Sequence, residues 1–202
     1  RRITQAGRAR TLTFGVSGKL RNSDMIMFDR ETESWWQQFT GRCIVGDLTG
    51  IELTKMRSVV KPFGVAVEDH PHAEVLLPPD PARREYGINP YVRYDGETWP
   101  FLYRGRYSGE VPPLAYVVVV GERAWPLSLL RERGNVEAHG LRIQWVSGMN
   151  SALDARRISA GRDIGYVQVW RERNGRLEAV AYDVTFAFAF KAFYPDGELL
   201  TR

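Results

Sequence analysis

The sequence predicts a mainly β protein, α+β only through a few short helices, built as two related β units packed on one core. Three observations predict it. Apolar and polar residues alternate in run after run, while helical periodicity is scarce. The runs are rich in β-branched and aromatic residues and are bounded by Gly, Asn, Asp or Pro. A stretch near the start also matches one near the end. Gly7, Arg8, Leu12, Phe14 and Val16 align without a gap on Gly175, Arg176, Val180, Tyr182 and Val184. Each is a turn glycine followed by an alternating strand, as expected for parts of two related units. With 202 residues, 44% of them hydrophobic, the chain can bury one large core or two small ones.

The first strand is read over residues 11–16. Behind it, Gly15-Val16-Ser17-Gly18-Lys19-Leu20 invites comparison with a phosphate-binding loop. A Walker loop needs Gly at position 13 and Ser or Thr at position 20, and these are Thr13 and Leu20. A nucleophile elbow needs Gly-x-Ser-x-Gly, and its last position is Lys19. Both motifs fail, which leaves a tight bend in which Gly15 and Gly18 supply backbone freedom.

A second strand covers residues 24–28. Around it, hydrogen-bonding groups crowd beside paired tryptophans: Arg21, Asn22 and Asp24, then Asp29, Glu33, Trp35, Trp36 and Gln37. One reading is a ligand or glycan groove with a Trp wall. The other is an Asx-type turn and a strand pair pinned by polar contacts. The balance favours structure, and any ligand site is expected among these residues. Cys43 is the only cysteine. It can form no internal disulfide and no cysteine metal site, and it reads as a small buried hydrophobe on a strand.

Residues 61–69 suit a short helix closed by His70-Pro71. His70 and His72 have only Asp69 and Glu74 near them, short of a convincing zinc set, so a surface turn is expected and no metal. A connecting loop follows over residues 77–112, punctuated by Pro78-Pro79, Pro81, Asn89-Pro90 and Pro100. It carries Tyr86, Tyr91, Tyr94, Trp99, Phe101 and Tyr103, which predicts a loop that packs down.

Beyond it come a strand at 115–120 and a helix at 126–133 with Gly134 as its C-cap. A turn at His139-Gly140 and strands at 141–146 and 164–170 follow. Asn174-Gly175 marks a primed hairpin turn. A final strand is read to Phe190, where Thr185 to Phe190 would set three Phe on one face and Ala on the other. Asp196-Gly197 is a last turn. The expected units are thus 1–76 and 113–202, joined by 77–112.

Net charge is +4, and all but four of the 28 basic residues are Arg. Guanidinium forks suit fixed pairing with carboxylate or phosphate. They are scattered among acids rather than clustered, which argues against nucleic-acid binding. The longest apolar run, residues 114–120, falls short of the ~20 residues that span a bilayer. The chain opens on Arg1-Arg2 with no apolar segment behind and no initiator Met, so a missing upstream part is expected. No Ser-His-Asp or Cys-His set can be composed. No catalytic residue and no cofactor is predicted.

Several stretches together resemble a bacterial family. They are Leu12 to Gly18, Arg21 to Asp24, Phe28 to Ser34, Trp36-Gln37 and Gly46-Asp47-Leu48-Thr49-Gly50. The likeness runs on through Tyr86-Gly87, Asn89-Pro90-Tyr91, Ala124-Trp125-Pro126-Leu127, Ser151-Ala152-Leu153-Asp154 and Gly161 to Gly165. The chain resembles domain-of-unknown-function family 3179. That resemblance implies a secreted or periplasmic bacterial protein. It also implies a signal peptide and a Cys-Pro-Leu-Cys segment just before the first residue, both missing here. It supplies no catalytic residues.

The leading expectation is a non-enzymatic binding or assembly module of the bacterial cell envelope, a subunit of a larger complex with a protein partner. One alternative is a metal or thiol-redox or hydrolytic enzyme fragment whose Cys pair lies upstream. Another is a glycan or small-ligand binder.

Overall fold

The computed structural model describes residues 2–5 and 8–202. Strands β1 (Arg2–Gln5) and β2 (Arg8–Thr11) form a two-stranded antiparallel sheet. Gly7, the first glycine of the internal match, lies outside the described residues.

Four strands then run as an antiparallel meander: β3 (Phe14–Arg21), β4 (Asp24–Asp29), β5 (Trp35–Gln37) and β6 (Cys43–Val45). The expected strand at 11–16 is broken, because Thr13 turns its N–H to Glu31 Oε2 at 2.8 Å. The expected bend at Gly15 to Lys19 is a β-bulge inside β3, where the register shifts between Val16 and Leu20. Gly18 takes φ +73° there, a left-handed conformation suited to glycine. The Ser17 hydroxyl donates to the Ile26 carbonyl at 2.5 Å and ties the bulge to β4. Leu12, Trp36, Cys43 and Leu48 form this sheet's buried cluster.

The middle of the chain has little regular structure. Helix α1 (Phe63–Asp69) buries no residue. Two 3-10 turns, Pro81–Arg83 and Tyr94–Gly96, interrupt the connecting loop. The packing-down expected of this loop holds for Tyr103, which is buried, and for Tyr94, half-buried against Phe186. It fails for Tyr86, Tyr91, Trp99 and Phe101, which remain exposed.

The second half contains β7 (Tyr116–Val120), β8 (Arg123–Pro126), α2 (Leu127–Arg133), β9 (Asn135–Ala138) and β10 (Leu141–Val146). It continues with β11 (Tyr166–Arg173), β12 (Arg176–Ala179), β13 (Asp183–Phe186), α3 (Ala187–Phe193) and β14 (Glu198–Leu199). Two four-stranded sheets result, ordered β12-β11-β10-β9 and β13-β7-β8-β14. Val118, Trp125, Leu130, Ile143 and Val167 pack between them with α2. Val117, Val119 and Ala124 cover the other face of β7 and β8 against α3. Burial on both faces explains the unbroken valine run of β7.

The final strand expected up to Phe190 is a correction. It is divided into β12 and β13, and the Phe-Ala alternation becomes helix α3. Ala187 to Phe190 are all buried, so every position is apolar or small, and periodicity cannot separate helix from strand. The free N–H groups of α3 find distant carbonyls. Ala187 donates to Ala115 O at 2.9 Å and Phe188 to Pro113 O at 2.9 Å.

Candidate functional site

Asn22 and Ser23 both have positive φ, 54° and 63°, and make the primed turn between β3 and β4. Asp24 follows at the start of β4. Its Oδ2 accepts from Gln37 Nε2 at 2.5 Å and from the Phe39 N–H at 2.9 Å. Gln37 Oε1 in turn accepts from Arg21 Nη1 at 3.3 Å. The Arg21 guanidinium sits 5.8 Å from the centre of the Phe193 ring, and Asn22 Nδ2 donates to Ala192 O at 3.1 Å. The turn is therefore fastened to the end of α3. Burial pushes the Asp24 carboxyl above its ordinary value, against the hydrogen bonds from Phe39, Gln37 and Met25.

Asp29 closes the other end of β4 and is wholly buried. It accepts from the Thr32 N–H at 2.7 Å, from the Thr32 hydroxyl at 2.8 Å and from Trp36 Nε1 at 2.8 Å. Ser34 extends the network to Thr32 and Leu48. A Cβ at Gly46 would stand 2.7 Å from the Ser34 hydroxyl, and Gly46 has φ +103°. Burial raises the Asp29 carboxyl, but the bonds from Trp36 and Thr32 outweigh it and hold it below the ordinary value.

The eight residues expected at one site thus part company. Arg21, Asp24 and Gln37 form one network, Asn22 beside them bonds instead to α3, and Asp29 with Trp36 forms an internal brace. Glu33 is an exposed turn residue with φ 56°. Trp35 lies on the opposite face from Trp36, with Lys19 Nζ 5.5 Å from its ring centre. Neighbours on a strand point to opposite faces, so the two tryptophans cannot make a single wall.

A groove of about 870 Å³ runs between the N-terminal sheet and β13. Of the eight residues only Asp24 lines it. Phe14, Met27, Phe39 and Val184 give it an apolar lining, and Lys55, Arg57 and Asp183 are its other charged groups. Lys55 and Asp183 are ion-paired across it. Strand β13 is the outer strand of its sheet, and among the described strands only β7 pairs with it. The sequence reading missed Lys55, Arg57 and Val184. They lie on an extended segment and on a strand end, far apart in the chain, and no local pattern connects them.

A second polar cluster fastens the connecting loop. The Asp95 carboxylate pairs with Arg162 at 2.8 Å and accepts from the Ser151 hydroxyl at 2.5 Å. The Tyr116 hydroxyl lies 3.3 Å from Ser151 Oγ, and burial pushes it up to about 12. Ser151 is buried and also accepts from the Leu153 N–H at 3.1 Å, so its oxygen is engaged rather than offered.

Cys43 is buried, and burial pushes its thiol up. His70 and His72 are exposed, and His139 occupies the β9–β10 turn with φ 52°. Among the described residues, no three His, Cys, Asp or Glu side chains stand together as a metal site. No described helix is long and apolar enough to cross a membrane.

Architecture thus defines the class: a mainly β protein of three four-stranded sheets with a groove between its halves. The chain belongs to the family described as Protein of unknown function (DUF3179), whose family model matches residues 1–197. Comparison with curated proteins and with solved structures gave no match.

Proposed function

We propose that this protein is a non-enzymatic binding or assembly module of the bacterial cell envelope, holding an extended segment of a partner protein in the groove beside β13. The observation that carries this reading is an edge strand forming one wall of the 870 Å³ groove. Edge strands present unpaired backbone groups that an incoming peptide can extend. Val184 on that strand is 38% exposed and offers an apolar contact. Asp24, Lys55, Arg57 and Asp183 offer charges of both signs for selecting the segment. The envelope setting is an expectation that rests on the family resemblance alone. The internal match supports two related units meeting here, since the aligned Phe14 and Tyr182 both line the groove.

The test is native mass spectrometry of the tagged protein isolated from its source, beside Val184→Arg and Trp35→Ala. The reading expects a non-covalent polypeptide on the parent and on Trp35→Ala, and none on Val184→Arg. A bare chain in all three, or a partner retained by Val184→Arg, would refute it. An increment the size of a small molecule would point to the ligand-pocket alternative.

A further inference from the structure

The connecting loop is pinned at its back. The Asn89 N–H reaches Arg156 O at 2.8 Å, the Arg93 N–H reaches Asp154 O at 2.7 Å, and Ile158 donates to Gly87 O at 3.0 Å. The Asp95 to Arg162 pair locks the same stretch, with the Asp95 side chain wholly buried. These bonds hold the stretch from Gly87 to Asp95 in place.

Its front is bare and apolar. Tyr91 is 54% exposed, Trp99 43%, Phe101 63% and Leu102 55%. Tyr91 and Phe101 stack with ring centres 6.4 Å apart, and Tyr94 meets Phe101 edge-on at 5.5 Å. Trp99 turns its Nε1–H inward to Tyr103 O at 3.1 Å and tilts against the Tyr103 ring, with the rest of its exposed surface open. Large rings held in solvent by a pinned backbone mark an interaction surface.

Between Arg83 and Arg106 the charges lean positive, five Arg against three acids. Arg83, Arg84, Arg93, Arg104 and Arg106 are all exposed, and among the described residues none is ion-paired. Of the nearby acids, Asp95 is committed to Arg162 and Asp80 caps a 3-10 turn through the Ala82 N–H. Within Arg83 to Arg106 only Glu85 and Glu97 remain to balance them, and Glu110 beyond it accepts from the Thr201 hydroxyl.

We propose that the loop from Arg83 to Arg106 is a peripheral docking surface for an anionic lipid bilayer. Tyr91, Trp99, Phe101 and Leu102 would enter the headgroup region, and the free guanidinium groups would meet lipid phosphates. Aromatic rings settle at the membrane–water interface, and unpaired Arg is drawn to a negative leaflet. A single-stranded nucleic acid is the lesser fit. Leu102 and the exposed Val92 add aliphatic surface, which bases do not use. This inference is independent of the groove.

The experiment is co-sedimentation of the whole protein with vesicles of phosphatidylcholine alone and of phosphatidylcholine with phosphatidylglycerol, with a single-stranded oligonucleotide as a third probe. The parent should bind the mixed vesicles, and less as salt rises. Phe101→Ser with Leu102→Ser should lower partitioning at least about tenfold. Arg93→Gln with Arg104→Gln should lower it about fivefold per Arg. Val184→Arg should bind as the parent does. Far-ultraviolet circular dichroism checks that each variant is folded. The proposal is overturned by no vesicle binding, by equal binding to neutral vesicles, or by folded loop variants that bind like the parent. Binding to the oligonucleotide in place of vesicles also overturns it.

Discussion

In the N-terminal sheet, four buried residues make up the apolar cluster, and a fully buried carboxylate, Asp29, stands beside them. In the C-terminal half, a cluster of ten buried residues spans two sheets and α2, and its only ionisable side chain is Tyr182. The difference follows from size. A small sheet excludes too little water to be specified by packing alone, so directional bonds from Trp36, Thr32 and Ser34 fix its geometry. The ten-residue cluster relies on volume and shape, and the buried Asp95 with Ser151 and Arg162 fastens the connecting loop outside it. The two halves should therefore fail for different reasons when single residues change.

The largest effect is expected at Trp125, which is almost fully buried between the C-terminal sheets. Trp125→Ala leaves a cavity and should cost about 4 kcal/mol, independent of pH between 3 and 7. Guanidinium unfolding at both pH values measures it. A loss below ~1 kcal/mol would mean that this cluster does not carry the half's stability.

The second effect belongs to Asp29. Its donors use both oxygens: the Thr32 N–H on Oδ1, Trp36 Nε1 on Oδ2, and the Thr32 hydroxyl on both. Asparagine offers one acceptor and turns an NH₂ toward the other donors. Asp29→Asn should cost about 2–3 kcal/mol near neutral pH. The folded carboxyl titrates below its unfolded value of 3.8. Its stabilisation is therefore complete above that value and is lost as pH falls through the folded value. Parent and variant should converge in acid, as urea unfolding at pH 3 and 7 would show. A gap that stays constant with pH would remove the buried anion from the account.

Local chemistry was legible in the sequence, and long-range closure was not. Asn174-Gly175, His139-Gly140 and the Gly134 cap stand where the sequence put them, because each answers to its own backbone angles. Helix α2 is equally local, with Pro126 before it and two Leu turned inward. Helix α3 was misread because its first N–H groups bond to residues 113 and 115, and burial on all sides erased its period. The crowded segment from Arg21 to Gln37 is polar and hydrogen-bonded, as its composition suggests. Which side chains face each other there depends on the alternation of β5, which separates Trp35 from Trp36. The groove joins Asp24 to Lys55 and Asp183, a meeting that no spacing rule announces.

The smallest effect, and the closest control, is at the opposite end of β4. Asp24 differs from Asp29 in using a single oxygen, Oδ2, for both Gln37 Nε2 and the Phe39 N–H. An asparagine carbonyl placed there serves both donors, and only a weaker interaction with the Met25 N–H is lost. Burial raises the Asp24 carboxyl above 3.8, so the folded chain holds this proton more tightly than the unfolded chain does. Stability from this group therefore falls as pH rises from 3.8 through the folded value, and the cost is constant above it. Asp24→Asn removes that cost. It should leave stability unchanged at pH 3 and raise it by under ~1 kcal/mol at pH 7, the reverse of Asp29→Asn. Urea midpoints of the two variants at both pH values decide the matter. If Asp24→Asn loses stability at pH 7, the charge itself is in use, held by Arg21 through Gln37 or by Lys55 across the groove. The contrast between a braced and a merely buried carboxylate would then fail on this strand.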